Sequence, residues 1–106
     1  MRRVAIASAA TAKFTKASDR PIFDLACQPC IKILQENGKN VDAVILSTCA
    51  TDQYSSAIIS EMLGLKPKVS HRVDNLCNSG TNAIASAYAL IASGLADSAL
   101  IVGAEK

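Results

Sequence analysis

Apolar and polar positions fall into blocks along this chain, and the blocks predict alternating strands and helices. "VAIASAA", from Val4 to Ala10, is a small-residue apolar run of strand length. A polar connection, "TAKFTKASDRP", follows it. From Pro21 to Asn37 the apolar residues Ile22, Leu25, Ala26, Ile33 and Leu34 recur at helical spacing, and Asn37-Gly38 supplies a stop. "VDAVILST", from Val41 to Thr48, has a continuous apolar centre, the pattern of a strand covered on both faces. "SSAIISEMLGL", from Ser55 to Leu65, predicts a second helix with Ile58, Ile59, Met62 and Leu63 on one side, broken by Lys66-Pro67. A short strand from Val69 to Asp74, a helix from Gly80 to Gly94 and a buried strand "SALIVGA" from Ser98 to Ala104 complete the series. The order β-α-β-α-β-α-β predicts an α/β fold with a mostly parallel sheet and helices on its faces.

Two features of this pattern predict further structure beyond these 106 residues. The stretch "AIASAYALIA", from Ala83 to Ala92, has Ser86 as its single polar side chain apart from the tyrosine hydroxyl. A helix apolar all round is buried all round, and no other segment is free to cover its outer side. The last strand also ends just before Glu105-Lys106, with no closing element after it.

Composition narrows the class. Half of the residues are hydrophobic and mean hydropathy is +0.25, so the chain has the means to bury a core and is not a disordered segment. Its length fits one small domain or part of a larger one. Tryptophan is absent and aromatics make up 4%, so the core is built from Ala, Val, Ile and Leu. Eleven basic and nine acidic residues give a net charge of +2 without a block of like charge, which points away from nucleic acid and anionic membrane. The start, "MRRVAIASAATA", imitates a secretion signal, but its apolar run is short, lacks leucine and makes a respectable first strand. No stretch has the ~18 uninterrupted apolar residues needed to span a bilayer.

Four cysteines, Cys27, Cys30, Cys49 and Cys77, could form a disulfide scaffold, but such scaffolds are loop-rich and this chain has long apolar segments. The thiols are read as reduced and the setting as cytoplasmic. Cys77 falls where a strand gives way to a helix, the place where functional groups gather in α/β sheets. Helix N-termini offer unpaired N–H groups and a positive dipole end, which favour the thiolate form of a cysteine. Ser79 and Gly80 keep the following turn small, so that a substrate can approach. Position alone leaves two readings open, a nucleophile and a buried structural cysteine.

The pair in "CQPC", Cys27 and Cys30, imitates a redox motif, which requires a strand directly before it. The preceding "RPIFDLA" reads as helix, so both thiols become packing residues and Pro29 becomes a proline inside a helix. A thiol-disulfide protein remains the alternative. The pair has no second pair and no nearby histidine, so a metal site is disfavoured. Cys49, in "STCAT" after the second strand, is read as a small buried residue. The single histidine, His71, is read as structural or interfacial. Neither a G-x-G-x-x-G nor a P-loop pattern occurs.

Several motifs in register then carry a resemblance. "CNSG" at Cys77–Gly80, "LIASG" at Leu90–Gly94 and "ADSALIVGAEK" at Ala96–Lys106 resemble the nucleophile segment of the thiolase family. There a Cys-x-Ser-Gly motif precedes an Ala-rich helix and a strand ending in Gly-x-Glu. "MRRVAIASAATAKFTK" and "VDAVILST" with its following "LGL" step resemble archaeal and sterol-carrier-type thiolases. The resemblance covers the whole chain as the first part of the family's N-terminal domain.

It implies one half of a layered αβαβα fold, lacking a fifth, antiparallel strand between the first and fourth. It implies an acyl-CoA acyltransferase of the acetyl-CoA acetyltransferase type. Cys77 would carry the acyl group as a thioester, with its backbone N–H in an oxyanion hole. Coenzyme A would enter as a thioester substrate, with no bound cofactor. The activating histidine and the second acid/base cysteine match no residue here. The resemblance further implies a homo-oligomer formed through the edge strand from Val69 to Asp74, and a C-terminal thiolase half as partner. A catalytically inactive truncated or scaffold subunit is the alternative.

Overall fold

The computed structural model describes residues 1–49 and 54–106. Its elements run α1 (Ile22–Asn37), β1 (Ala43–Ser47), α2 (Ser55–Met62), β2 (Val69–Val73), a 3-10 turn (Leu76–Asn78), α3 (Ser79–Ala92) and β3 (Ala99–Gly103).

The three strands form one parallel sheet in the order β2-β1-β3. Ala43 stands opposite Val69 on one side and Ala99 on the other. All five residues of β1 are buried, as expected for a central strand with helices on both faces. Its side chains alternate between two cores. Val44 and Leu46 point to a cluster with Ala26, Cys27, Cys30 and Leu34 of α1 and Ile59 of α2. Ile45 points the other way, to Ala83 and Ala87 of α3. Truncating Ile59, which is completely buried, to alanine costs about 2–5 kcal/mol in such a core.

Helix α1 ends where Gly38 adopts φ 83°, a left-handed conformation that costs glycine little, and its N–H returns to the Leu34 carbonyl at 2.8 Å. Pro29 lies inside α1, so position 29 donates no bond to the preceding turn.

One expectation fails. Val4 to Ala10 form no strand. A strand exists only with a ladder partner, and among the described residues none lies beside this segment. The chain start is tied elsewhere: Arg2 donates its backbone N–H to the Ala92 carbonyl at 3.3 Å and its guanidinium to Asp97 at 2.6 Å. The sheet therefore has three strands among the described residues, where the sequence pattern predicts four. Helix α3, whose outer side the sequence pattern leaves without cover in this chain, buries Ser79, Ala83, Ala87 and Ala92, while Ile84 is 58% and Tyr88 50% exposed. The sheet covers one stripe of the helix, and its apolar outer face is open.

Candidate active site

The parallel strands bring three chain segments to one edge of the sheet. At the C-terminal end of β1, Thr48 donates its N–H to the Val73 carbonyl at 3.2 Å, and Cys49 donates its N–H to Glu105 Oε1 at 2.6 Å. At the end of β3, Ala104 donates to the Ser47 carbonyl at 3.2 Å. The end of β2 leads within three residues into the Leu76–Asn78 turn, which carries Cys77. Carboxyl edges of parallel sheets are where α/β proteins assemble their sites.

Cys77 is exposed and lies in the turn that immediately precedes α3. The backbone that presents it is bent. Leu76 has φ 50°, the one positive φ outside glycine among the described residues, and its side chain is 75% exposed. A left-handed leucine costs on the order of 1–3 kcal/mol and persists only where its surroundings hold it.

Ser79 does the holding. Its buried hydroxyl accepts the Asn75 N–H at 2.7 Å and donates to the Leu76 carbonyl at 2.8 Å. One side chain thus ties both ends of the Asn75-Leu76 pair that precedes Cys77. From the other side the Asp74 carboxylate accepts the Leu76 N–H at 3.4 Å and lies 3.6 Å from the Arg72 guanidinium. Arg72 also donates to the Thr48 carbonyl at 3.0 Å. Asp74 is held below the ordinary carboxylate range, first by a hydrogen bond from Cys49 and then by the Leu76 N–H. Gly80, one residue further, faces open space where a Cβ would stand.

Cys49 is exposed rather than buried, which overturns its reading as a packing residue. It lies beyond the last residue of β1, past the region the helices cover. Its thiol is 3.9 Å from Ser79 Oγ. Its pKa is raised, chiefly by its hydrogen bond to Asp74 and then by desolvation.

Cys27 and Cys30 do not join this edge. Both are buried in α1, and Cys30 donates its S–H to the Ala26 carbonyl at 3.3 Å. Burial, with neighbouring Cys27 adding to it, pushes the Cys30 thiol up to about 11. Burial, followed by nearby Asp24, also raises Cys27. Such thiols lack the exposed, activated state that redox chemistry needs. His71 is placed in β2, opposite Ile45. Among the described residues, no three His, Cys, Asp or Glu side chains are grouped to hold a metal, and no helix is long and apolar enough to cross a membrane. A cleft of about 470 Å3 lies over α1 and the end of α2 and is lined by Cys27, Ile31 and Met62, on the sheet face opposite α3.

Comparison with known proteins meets this geometry. Residues 2–106 match the family described as "Thiolase, N-terminal domain". The chain belongs to the thiolase family. It is 30% identical over its whole length to an acetyl-CoA acetyltransferase of Methanocaldococcus jannaschii, of which it covers 29%. It is 31% identical, over 76% of its length, to a β-ketoacyl-[acyl-carrier-protein] synthase III of Ruegeria, covering 26% of that protein. The solved structure of β-ketoacyl-[acyl-carrier-protein] synthase III from Thermus thermophilus superimposes with a TM-score of 0.71 and 31% identity, covering 82% of this chain and 29% of that one. This thiolase-family chain therefore spans under a third of the length of these relatives. Its α/β architecture, with a parallel sheet between helices, matches the part of that solved structure it covers.

Of the residues singled out in the sequence, Cys77 lies in the Leu76–Asn78 turn and Ser79 and Gly80 open the helix that follows it. Sequence reasoning missed Asp74 and Cys49 as neighbours of that turn. The available signal was the polar Asp74-Asn75 pair just before Leu76, since such side chains commonly hydrogen-bond backbone two residues on.

Proposed function

We propose that this chain is the N-terminal part of a thiolase-like acyl-CoA acyltransferase, with Cys77 as the acyl acceptor. The observation that carries the reading is the presentation of Cys77. It is exposed, stands at the carboxyl edge of a parallel sheet, and rides on a strained turn that Ser79 fixes from within. The names of the relatives, acetyl-CoA acetyltransferase and β-ketoacyl synthase III, support acyl transfer from a thioester.

In the proposed step the Cys77 sulfur attacks the acyl-CoA carbonyl. A new S–C bond forms, the bond to the CoA sulfur breaks, and the cysteine proton ends on the departing CoA thiol. Backbone N–H groups at the start of α3, that of Cys77 among them, would stabilise the negative charge that develops on the carbonyl oxygen. The bound acyl group then passes to a second acceptor, in Claisen condensation or its reverse. A histidine base and a second acid/base cysteine, which the family resemblance implies, match no residue of this sequence, so in this reading they come from further thiolase polypeptide. Among the described residues β2 is an edge strand, paired with β1 on one side only, and in the same reading it serves as the homo-oligomer contact.

The test is acetyl incorporation from acetyl-CoA under acid quench, with acetoacetyl-CoA thiolysis measured in parallel. The reading predicts up to one acetyl group per chain, lost in Cys77→Ala, and no turnover by the chain alone. Incorporation that survives Cys77→Ala contradicts it.

A further inference from the structure

The ladder between β1 and β2 stops where the chain leaves it for the Cys77 turn, and two side chains stop it. Thr48 donates its N–H to the Val73 carbonyl at 3.2 Å. In a parallel ladder a residue that donates to one neighbour accepts from the residue two positions further along, so the next rung would join the Asn75 N–H to the Thr48 carbonyl. That rung is replaced at both ends. The Asn75 N–H turns to Ser79 Oγ at 2.7 Å, and the Thr48 carbonyl accepts Arg72 Nη1 at 3.0 Å. The Arg72 side chain is only 21% exposed, and the same Nη1 lies 3.6 Å from Asp74 Oδ2. That nitrogen carries two hydrogens, enough for the carbonyl and the carboxylate together. Asp74 Oδ1 in turn accepts the Leu76 N–H at 3.4 Å. A line of contacts therefore runs from the backbone at the end of β1 through Arg72 and Asp74 to Leu76, the residue before Cys77.

We infer that Arg72 is a positioning residue for Cys77: by taking the Thr48 carbonyl it ends the ladder one rung early and leaves the Asn75 N–H to Ser79, which bends the chain into the turn that presents the thiol. The inference rests on the reading of Cys77 as acyl acceptor for its catalytic meaning, while the ending of the ladder is a matter of hydrogen bonding alone. With Arg72 gone, the Thr48 carbonyl competes with Ser79 for the Asn75 N–H, and a restored rung draws the segment before Cys77 back towards β1. The role needs a long side chain with a donor at its end. Lysine meets that requirement. Methionine, with an apolar stem and no donor, does not.

The experiment compares the parent chain with Arg72→Met and Arg72→Lys. Iodoacetamide labelling of each cysteine in the folded state is followed by peptide mass spectrometry, with circular dichroism to verify folding. Loss of the donor is expected to slow Cys77 labelling about fivefold, the factor that the net worth of one hydrogen bond supports, and Arg72→Lys is expected to return it to within about twofold of the parent. The buried Cys27 and Cys30 serve as the control for general loosening, and their rates are expected to stay at the parent value. Equal Cys77 rates in all three chains overturn the inference, as does a lysine variant as slow as the methionine variant. A slower Cys77 accompanied by faster Cys27 and Cys30 overturns it too, because that pattern reports a loosened fold. Should Arg72→Met fail to fold, Arg72→Gln, with its shorter side chain, probes the same contact, and an unchanged Cys77 rate there overturns the inference equally. Acetyl transfer from acetyl-CoA to Cys77 is measured in the parent chain alongside. Its absence removes the acyl-acceptor reading and leaves the alkylation contrast to decide the positioning.

Discussion

Ser79 Oγ donates to the Leu76 carbonyl at 2.8 Å, so a buried hydroxyl closes the turn from which Cys77 is presented. The same oxygen accepts from Asn75. Ser79→Ala removes both bonds, leaves the Asn75 N–H without its partner, and frees a leucine that is held at positive φ. The expected loss of stability in urea titration is about 1–3 kcal/mol, with a slower Cys77 alkylation rate. A variant equal to the parent in both would show that the turn holds itself.

The four thiols separate by environment, and alkylation in the folded state is expected to follow. Cys77 is exposed and reacts first. Cys49 is exposed but keeps its proton through Asp74, so it reacts second. Cys27 and Cys30 are buried and react on unfolding. Site-resolved iodoacetamide rates check the order, and Cys77 lagging behind either buried thiol would contradict it.

Much of the fold is legible in the sequence because it depends on short-range pattern. The unbroken apolar run of β1 can belong only to a covered strand, and Gly38 stops α1 where a left-handed residue is needed. What fails depends on distant partners. Val4 to Ala10 have the composition of a strand, but a ladder requires a neighbour that the pattern of the segment itself does not reveal. Cys49 looks like a packing residue because it follows a buried strand closely. Its exposure is decided by where the covering helices end. Ser79 is legible as a small residue beside the nucleophile, but its hydrogen bonds exist only once Leu76 has turned back over it.

Alkaline pH should weaken the fold through Cys30. Its thiol titrates near 9 when unfolded and at about 11 when folded. The folded state therefore favours the protonated form. That contribution is complete below pH 9 and is lost as pH rises from 9 toward 11. Urea midpoints across this window are expected to fall, and to fall less in Cys30→Ala after allowing for its lower starting stability. An identical slope in the variant would assign the effect to other groups.

The open outer face of α3 predicts self-association. Ile84 and Tyr88 present apolar surface on that helix, and Leu95 is exposed just beyond it. Exposed apolar patches above a few hundred Å2 usually mark an interface or an aggregation liability. Light scattering on the purified chain is expected to show oligomers that bind a hydrophobic dye, with a double Ile84→Lys, Tyr88→Lys variant shifted toward monomer. A dye-silent monomeric parent would contradict the prediction.

The central claim is that an acyl group is accepted at Cys77 because the turn after β2 holds that thiol at the start of α3. The most direct measurement is the position of the acetyl group after brief exposure to acetyl-CoA, acid quench and peptide mapping of all four cysteines. The account predicts acetyl on Cys77, with Cys27 and Cys30 unlabelled and Cys49 at most a minor site. Acetyl found mainly on Cys49, or spread over the four thiols in proportion to their exposure, would contradict it.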